Sequence, residues 1–283
     1  MTTPDDHRWA LEAATVTLGY GDREVARDLA VGIPRGLVTV IVGANACGKS
    51  TLLRAFARLL APSTGRVLLD GADLRRLPTR EVARRLGILP QAPVAPEGIT
   101  VVDLVARGRH PHQGWLQRWS AADEAAVVGA LEATSTLDLA DRDVDELSGG
   151  QRQRVWIAMA LAQQTEVLLL DEPTTYLDLA HQVDVLDLVA DLNRRDGRTV
   201  VAVLHDLNQA CRYADHLVAM RAGAVVAEGP PAEVITPELV EEVFGLEVVV
   251  VADPVAATPM VVPVGRHDRR PVPSGPAVLV DRP

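Results

Sequence analysis

The sequence contains very few lysine, cysteine or aromatic residues. Its 28 basic residues comprise 27 arginines and a single lysine, Lys49, and aromatic residues make up 3% of the 283 positions. Two cysteines, Cys47 and Cys211, are too few for a disulfide framework, so we expect both to be free thiols. The one lysine in a chain that otherwise uses arginine marks position 49 as a site that favours a compact ammonium group.

Long apolar runs and an excess of basic charge are also missing. No apolar stretch approaches the roughly 18 residues that span a bilayer, and the N-terminus carries Pro4, Asp5 and Asp6 where a secretory signal has basic and apolar residues. We therefore expect a cytoplasmic protein. The formal net charge of −10 argues against a nucleic-acid partner and against general attraction to anionic lipid. An anionic ligand would need a local site to attract it.

Apolar strands alternate with helical patterns over much of the chain. Leu37 to Val42, Val167 to Leu170 and Thr199 to Leu204 predict buried strands, and a helical pattern follows each of them. The first of these helices is expected to continue until Pro62 stops it. Strands that alternate with helices indicate an α/β core with a mostly parallel sheet.

Two regions depart from this alternation. Between residues 100 and 162 three helical patterns follow one another without a strand, which predicts an inserted helical subdomain. Val248 to Val251 and Met260 to Val264 predict added edge strands. Residues 266–283 are rich in proline and predict a disordered tail.

A glycine-rich segment lies between the first buried strand and its helix. Residues 43–50 read Gly-Ala-Asn-Ala-Cys-Gly-Lys-Ser and match the phosphate-loop pattern G-x-x-x-x-G-K-[ST]. Backbone amides of such a loop can converge on phosphate oxygens, Lys49 can reach the terminal phosphates, and the Ser50 hydroxyl can ligate Mg²⁺. The wider guanidinium of arginine would not fit the ring of amides as well, which gives the single lysine a reason.

Two acids follow the second buried strand. Asp171 and Glu172 come directly after Val167 to Leu170, where the carboxyl end of a parallel strand opens on the ligand crevice. Asp171 is placed to hold Mg²⁺ through water, and Glu172 could act as general base on an attacking water.

A second anion-binding helix start lies 20 residues before that strand. Leu147-Ser148-Gly149-Gly150-Gln151 opens a predicted helix, with Ser148 as its N-cap and two glycines that let backbone amides approach an anion. The chain therefore has two helix N-termini suited to phosphate.

Together these residues resemble the ATP-binding subunits of ABC transporters, over about residues 13–247. The resemblance implies a P-loop NTPase (RecA-like) core with a mostly parallel sheet, an antiparallel β subdomain and an inserted helical subdomain that carries the signature motif, residues 147–151. We expect the ATP-binding domain at 11–247, with its helical subdomain at about 98–162, and accessory strands at 248–265.

The resemblance also implies a role for individual residues. The residues expected to bind ATP within one chain are Tyr20, which stacks on adenine, and the loop Gly43, Ala44, Asn45, Ala46, Cys47, Gly48, Lys49, Ser50 and Thr51. Those expected to bind the ATP of a second chain are Ser148, Gly149, Gly150, Gln151 and, in the D-loop Tyr176-Leu177-Asp178, Asp178. Those expected to hold Mg²⁺ are Ser50, Gln91 and Asp171. Glu172 is the expected general base, and His205 the expected contact to the γ-phosphate.

One position departs from the family pattern. The family commonly has glycine where this loop has Ala46. If the backbone there has a positive φ, alanine costs on the order of 1 kcal/mol.

The resemblance implies partners and a location as well. With one copy of each motif, the chain is expected to form a homodimer on ATP binding, beside membrane permease subunits at the cytoplasmic face of the membrane and an extracytoplasmic substrate-binding protein. Gly98 to Val101, Gly108 to His112 and residues 204–229 resemble importers of iron-siderophore complexes, haem and cobalamin, and we expect iron-siderophore import. His110 and His112 indicate a docking surface rather than a metal site.

Three alternatives remain open on the sequence. The importer could carry haem or cobalamin, the chain could belong to an exporter, or it could be a soluble ABC ATPase, for example in iron-sulfur assembly. The sequence has no long heptad insertion and no duplicated motif set, which argues against repair and translation ATPases.

Overall fold

The computed structural model describes residues 8–114, 119–175 and 177–265. The strands are β1 Trp9–Tyr20, β2 Arg23–Pro34, β3 Val38–Gly43, β4 Thr64–Leu69, β5 Ala72–Asp73, β6 Leu86–Leu89, β7 Val167–Asp171, β8 Thr199–Val203, β9 His216–Arg221, β10 Ala224–Gly229, β11 Val248–Ala252 and β12 Pro259–Pro263. The α-helices are α1 Lys49–Phe56, α2 Thr79–Arg85, α3 Val101–Ala106, α4 Ala121–Ala133, α5 Gly149–Ala162, α6 Leu179–Asp196, α7 Leu207–Tyr213, α8 Pro231–Val234 and α9 Pro237–Phe244.

The main sheet has six strands in the order β10-β9-β3-β8-β7-β6. Five of them, from β9 to β6, run parallel, and β10 pairs with β9 antiparallel at one edge. The strands β3, β7 and β8 are buried at every position, as their near-continuous apolar sequences predict. The predicted α/β class with a mostly parallel sheet is confirmed.

The two faces of the main sheet pack against different layers. Val40, Leu168 and Leu170 lie on the face that packs with α3, α5 and α6. Ile41 and Leu169, their neighbours along the strands, lie on the opposite face with α1 and the second sheet. This alternation follows from the two-residue period of a strand, and it buries both faces of the sheet.

The second sheet is antiparallel and contains β2-β1-β4-β5 in that order. Its strand β1 lies between β2 and β4 and buries Leu11, Val16 and Leu18. The expected antiparallel β subdomain is therefore present, and its β1–β2 turn reaches the same edge of the molecule as the C-terminal end of β3.

Helices α3, α4 and α5 occupy the region where three helical patterns were predicted. Arg109 and Asp123 form a buried ion pair at 2.9 Å between the segment after α3 and the start of α4. The Arg109 guanidinium also donates to the Ala162 carbonyl oxygen at 2.7 Å, at the end of α5. One buried arginine therefore joins all three helices. Hydrogen bonds from the Ser120 hydroxyl and from the Arg109 guanidinium lower the pKa of the Asp123 carboxyl.

Two details of the sequence prediction were wrong. The helix α1 ends at Phe56 and does not continue to Pro62, because Arg58 adopts a left-handed conformation (φ 60°), and Leu59 is 66% exposed. The predicted edge strands, β11 and β12, pair with each other in a separate two-stranded sheet instead of extending the main sheet.

The remaining predictions concern the cysteines and the ends of the chain. Cys47 and Cys211 are buried free thiols, as expected, and burial raises the pKa of Cys211 to about 11. No helix in the described part of the chain is both long and apolar enough to cross a membrane. The tail predicted for 266–283 lies outside the described residues. The domain limits at 11–247 and 248–265 stay predictions.

Candidate active site

The C-terminal ends of four neighbouring strands bring the predicted motif residues together. Gly43 ends β3 and Asp171 ends β7, while His205 and Gln91 follow β8 and β6 by two residues. These strands are adjacent in the order β3-β8-β7-β6 and run parallel, so their carboxyl ends meet at one edge of the sheet. Ligand crevices of open α/β sheets lie at this edge.

A cavity of about 720 Å³ opens at this edge, within the size range of small-molecule sites. The residues that line it are Tyr20, Arg23, Glu24, Val25, Asn45, Ala46, Cys47, Gly48, Lys49, Ser50, Thr51, Gln91, Glu172, His205 and Ala222. The β1–β2 turn contributes an aromatic side chain, Tyr20, to its lining, and Gln91, Glu172 and His205 contribute polar ones. The cavity therefore combines a ring that could stack on a ligand with side chains that could take part in proton transfer.

The phosphate loop departs from ordinary backbone geometry at three positions. Gly43 has φ 154°, and a Cβ there would lie 2.2 Å from the Met220 carbonyl oxygen, so only glycine fits. Gly48 has φ 107° at the N-cap of α1. Ala46 has φ 61°, which confirms that alanine stands at a position of positive φ. Of the three positions, only Ala46 carries a backbone strain that glycine would not have.

Lys49 is the first residue of α1 and is 5% exposed. Its ammonium donates to the carbonyl oxygens of Gly43 at 2.8 Å and Ala44 at 3.1 Å. These bonds hold the side chain back along the loop towards the strand, as a flexible four-carbon stem permits. Two backbone oxygens at this spacing suit a point-like ammonium better than a planar guanidinium.

Ser50 and Asp171 form the part of the site that suits a cation. The Ser50 hydroxyl donates to the Asp171 carboxylate at 2.8 Å, and Asp171 is 3% exposed. Burial raises the pKa of the Asp171 carboxyl above its usual value, and the hydrogen bond from Ser50 opposes that shift. A buried carboxylate beside a hydroxyl is a donor set that Mg²⁺ prefers. Among residues 8–114, 119–175 and 177–265, no group of three or more His, Cys, Asp and Glu side chains is arranged to hold a metal ion.

The Glu172 carboxylate contacts three other side chains of the site. Its carboxylate lies 2.6 Å from His205 Nε2, and it accepts a hydrogen bond from the Gln91 amide at 2.7 Å and from the Thr175 hydroxyl at 3.2 Å. The backbone of Glu172 is left-handed, with φ 54°. This turn lies directly after β7 and places the Glu172 side chain on the wall of the cavity, whereas Asp171 does not line the cavity and reaches it through its bond from Ser50.

Arg54 is a site residue that sequence reasoning missed. Its guanidinium donates to the Tyr20 hydroxyl at 3.1 Å, and this bond joins the exposed tyrosine, which lines the cavity, to α1. Its position four residues after Ser50, on the face of α1 that follows the phosphate loop, was the signal that could have found it. Arg23 and Glu24, also missed, line the same wall through the β1–β2 turn.

The residues expected to act on a second chain's nucleotide lie elsewhere. None of the described residues that line the cavity belongs to the signature motif or is Asp178. Ser148 caps α5 as predicted: its hydroxyl accepts from the Gln151 amide at 3.3 Å, and the Gln151 side chain accepts from the Ser148 amide at 3.1 Å. Asp178 caps α6. Tyr176 lies outside the described residues.

The fold and the motif residues at its strand ends define a nucleotide-binding subunit, and comparison with known proteins gives the class. The family model described as ABC transporter matches residues 26–175. The chain belongs to the ABC transporter family, as the sequence resemblance predicted, and is an ATP-binding subunit whose ATPase activity drives transport.

Individual relatives are similar along nearly the whole chain. The chain is 56% identical to the ferric enterobactin transport ATP-binding protein of Escherichia coli over 256 residues, which cover 90% of this chain and 94% of that protein. It is 57% identical to the achromobactin transport ATP-binding protein of Dickeya dadantii over 258 residues, 91% of this chain and 96% of that protein. Among solved structures, an ABC transporter of the metal-chelate type in an inward-facing conformation matches with a TM-score of 0.78 and 28% identity, over 91% of this chain and 98% of that one.

Proposed function

We propose that this chain is the ATP-hydrolysing subunit of an importer for iron-siderophore complexes. The observation that carries the proposal is its 56–57% identity to two siderophore transport ATP-binding proteins, of which it covers 94% and 96%. The polar network around Glu172 supplies the chemistry that such a subunit needs.

In this proposal one ATP lies along the cavity. Tyr20 stacks on the adenine, and the loop amides and Lys49 hold the phosphates. Ser50, Gln91 and Asp171 would hold Mg²⁺, which when bound neutralises charge on the phosphate oxygens.

Glu172 acts as the general base. Its carboxylate accepts a proton from the water that attacks the γ-phosphate, and the water must lie within hydrogen-bond reach of that carboxylate. His205, at 2.6 Å, and Gln91, at 2.7 Å, fix the orientation of the Glu172 side chain. A displacement of the end of β8 or of β6 would therefore move the Glu172 carboxylate and slow the proton transfer.

The functional unit is a homodimer with two composite sites. The signature helix start and Asp178 do not line the chain's own cavity, so in this proposal they close over the ATP of a second copy. Leu179, next to Asp178, is 72% exposed, which fits a surface that becomes covered on dimerisation. ATP binding closes the dimer, and hydrolysis lets it reopen.

The permease contacts the chain at the loop after α3, on the cytoplasmic face of the membrane. Two arginines of α2, Arg80 and Arg84, both donate to the Pro111 carbonyl oxygen of this loop, at 2.8 and 2.9 Å. The helix α2 leads directly into β6, and Gln91 follows that strand. A displacement of the loop is therefore passed to α2 and to the element that positions Gln91. An extracytoplasmic substrate-binding protein would deliver the cargo to the same permease.

Uptake of iron by the cell that makes this chain tests the proposal. We expect a strain without this subunit to lose uptake of ⁵⁵Fe-loaded siderophore, and the wild-type chain to restore it. Glu172→Gln, expressed at the same level, should not restore uptake, because it lacks the general base.

Haem and cobalamin uptake, measured in the same strains, are the matched controls. Normal siderophore uptake together with a loss of either control cargo would overturn the proposed cargo and leave the ATPase assignment in place. Normal uptake of all three would overturn the proposal that the chain energises import of this class.

A further inference from the structure

We propose that His181 is a positioning residue that joins Asp178, in the D-loop, to α5, the signature helix, which begins within the signature motif. The two elements that one chain presents to its partner's nucleotide then move as one unit. The inference rests on the composite dimer proposed above. His181 lies on the first turn of α6, does not line the cavity, and has no part in the chemistry described so far.

One side of the imidazole holds the D-loop. His181 Nδ1 lies 2.6 Å from the Asp178 Oδ1 atom, and the His181 backbone amide donates to the same oxygen at 3.0 Å. These two bonds lower the pKa of the Asp178 carboxyl. The Asp178 side chain is 67% exposed, and these two bonds from His181 fix its direction; the imidazole supplies the shorter of them.

The other side of the imidazole lies against the signature helix. A Cβ on Gly150 would lie 2.7 Å from His181 Cδ2 and 3.0 Å from Cγ, closer than real Cβ atoms come to a neighbour. Gly149, one residue earlier, has no such neighbour within 4 Å. The ring of His181 therefore fills the space that a side chain at position 150 would need, and the absence of a side chain there lets α5 and α6 approach.

A second contact joins the same two segments. The Gln153 side chain, one turn along α5, donates to the Pro173 carbonyl oxygen at 2.8 Å, directly after Glu172. Gln153 thus attaches Pro173, the residue after Glu172, to α5, and His181 attaches Asp178 to the same helix. Glu172 serves the chain's own ATP, whereas Asp178 and Gly150 are proposed to serve the partner's. The proposed general base and the residues proposed to contact the partner's ATP therefore belong to one connected group.

Because His181 already joins these elements in the monomer, less conformational entropy is lost when the dimer closes. A free D-loop would have to be ordered when the partner's nucleotide is engaged, and this ordering opposes association. Removal of the imidazole should therefore weaken ATP-dependent dimerisation while the chain's own ATP binding stays unchanged. A purely structural role would not separate these two quantities.

Three variants, made in a Glu172→Gln background that slows hydrolysis, test the inference. His181→Ala removes both contacts but keeps the backbone amide that caps α6. His181→Asn keeps a side-chain donor for Asp178 and loses the ring. Arg194→Ala, at an exposed position near the other end of α6, is the control.

Dimerisation is measured by analytical ultracentrifugation with ATP, and binding to the monomer with a fluorescent ATP analogue at concentrations too low for dimers. We expect His181→Ala to raise the dimer dissociation constant about tenfold, His181→Asn, which keeps only the side-chain bond to Asp178, to raise it about threefold, and Arg194→Ala to match the parent. Monomer affinity for the analogue and Tm should be the same for all variants.

Two results would overturn the inference. The first is dimerisation of His181→Ala as tight as that of the parent. The second is a loss of monomer nucleotide affinity equal to the loss in dimerisation, which would indicate a general distortion; if His181→Ala proves unstable, the His181→Asn comparison decides in the same way. A parent protein that stays monomeric at saturating ATP would refute the proposed composite dimer itself, and this inference with it.

Discussion

Ala46→Gly should stabilise the protein, although glycine usually destabilises. Ala46 has φ 61° in the phosphate loop, and an L-residue in the left-handed region carries a cost of about 1–2 kcal/mol that glycine does not. Glycine loses more conformational entropy on folding, which offsets about 0.5–1 kcal/mol of the gain. The net increase in the free energy of unfolding is about 0.5–1 kcal/mol, or about 1–4 °C in Tm for a chain of this length.

Urea unfolding followed by circular dichroism measures this change, and two other alanines calibrate it. Ala257 has φ 57° at an exposed position between β11 and β12, so Ala257→Gly should give a similar gain far from the cavity. Ala125 is exposed within the helix α4, so Ala125→Gly should lose about 1 kcal/mol. A loss for Ala46→Gly as large as that for Ala125→Gly would refute the strain argument.

The strain at position 46 also sets an upper limit on how far Ala46→Gly can change the affinity for ATP. Release of about 1 kcal/mol of strain can change the dissociation constant for ATP by no more than about fivefold. Titration of the variant and the wild type with a fluorescent ATP analogue checks this limit. A change much larger than fivefold would mean that position 46 affects ATP through something other than backbone strain.

Three further predictions follow from particular contacts. Lys49→Arg should abolish ATP hydrolysis in a phosphate-release assay although the charge is kept, because a guanidinium cannot replace the ammonium between the two loop carbonyls; hydrolysis near the wild-type rate would contradict this. Asn208→Ala should lower the free energy of unfolding by about 1–3 kcal/mol in the same urea titration, since Val261 loses both the acceptor of its amide, at 2.7 Å, and the donor to its carbonyl oxygen, at 3.2 Å. Asn208→Asp keeps only the acceptor and turns a second oxygen towards that carbonyl, so it should not restore the wild-type stability; a wild-type urea midpoint for Asn208→Ala would contradict the prediction. The Arg212 guanidinium lowers the pKa of Asp253 from 3.8 to about 2. The stability that this ion pair contributes is therefore complete above pH 4 and is lost as the pH falls towards 2. The urea midpoints of wild type and Asp253→Asn should converge over that interval, and a constant difference between them would refute the assignment.

The sequence predicted the parts of the fold in which local pattern and burial agree. The strand at Leu37 to Val42 is followed by the phosphate loop and α1, and β7 and β8 are continuous apolar runs, so each needed only its own residues to be recognised. The end of α1 was missed because it depends on a distant contact. Arg58 leaves the helix and donates to the Leu77 carbonyl oxygen at 2.8 Å, which no local pattern indicates.

The contacts within the site likewise divide into those that a local pattern predicted and those that it did not. Motif spacing predicted which residues would lie at the strand ends, because parallel neighbours place their carboxyl ends together. It did not predict that the Glu172 side chain would lie between His205 and Gln91, or that Arg54 would bond to Tyr20. These contacts depend on the order of strands in the sheet and on the left-handed turn at Glu172, and neither feature has a sequence signal.

The central claim is that two copies of this chain share two composite sites with Glu172 as the general base. The most direct measurement compares wild type and Glu172→Gln in the presence of ATP and Mg²⁺, with mass followed by analytical ultracentrifugation and phosphate release by a coupled assay. We predict that Glu172→Gln binds ATP, accumulates as a stable dimer and releases phosphate at less than about 1% of the wild-type rate, in line with the loss of a positioned general base. Phosphate release by Glu172→Gln at the wild-type rate, or a variant that stays monomeric with ATP bound, would contradict the account.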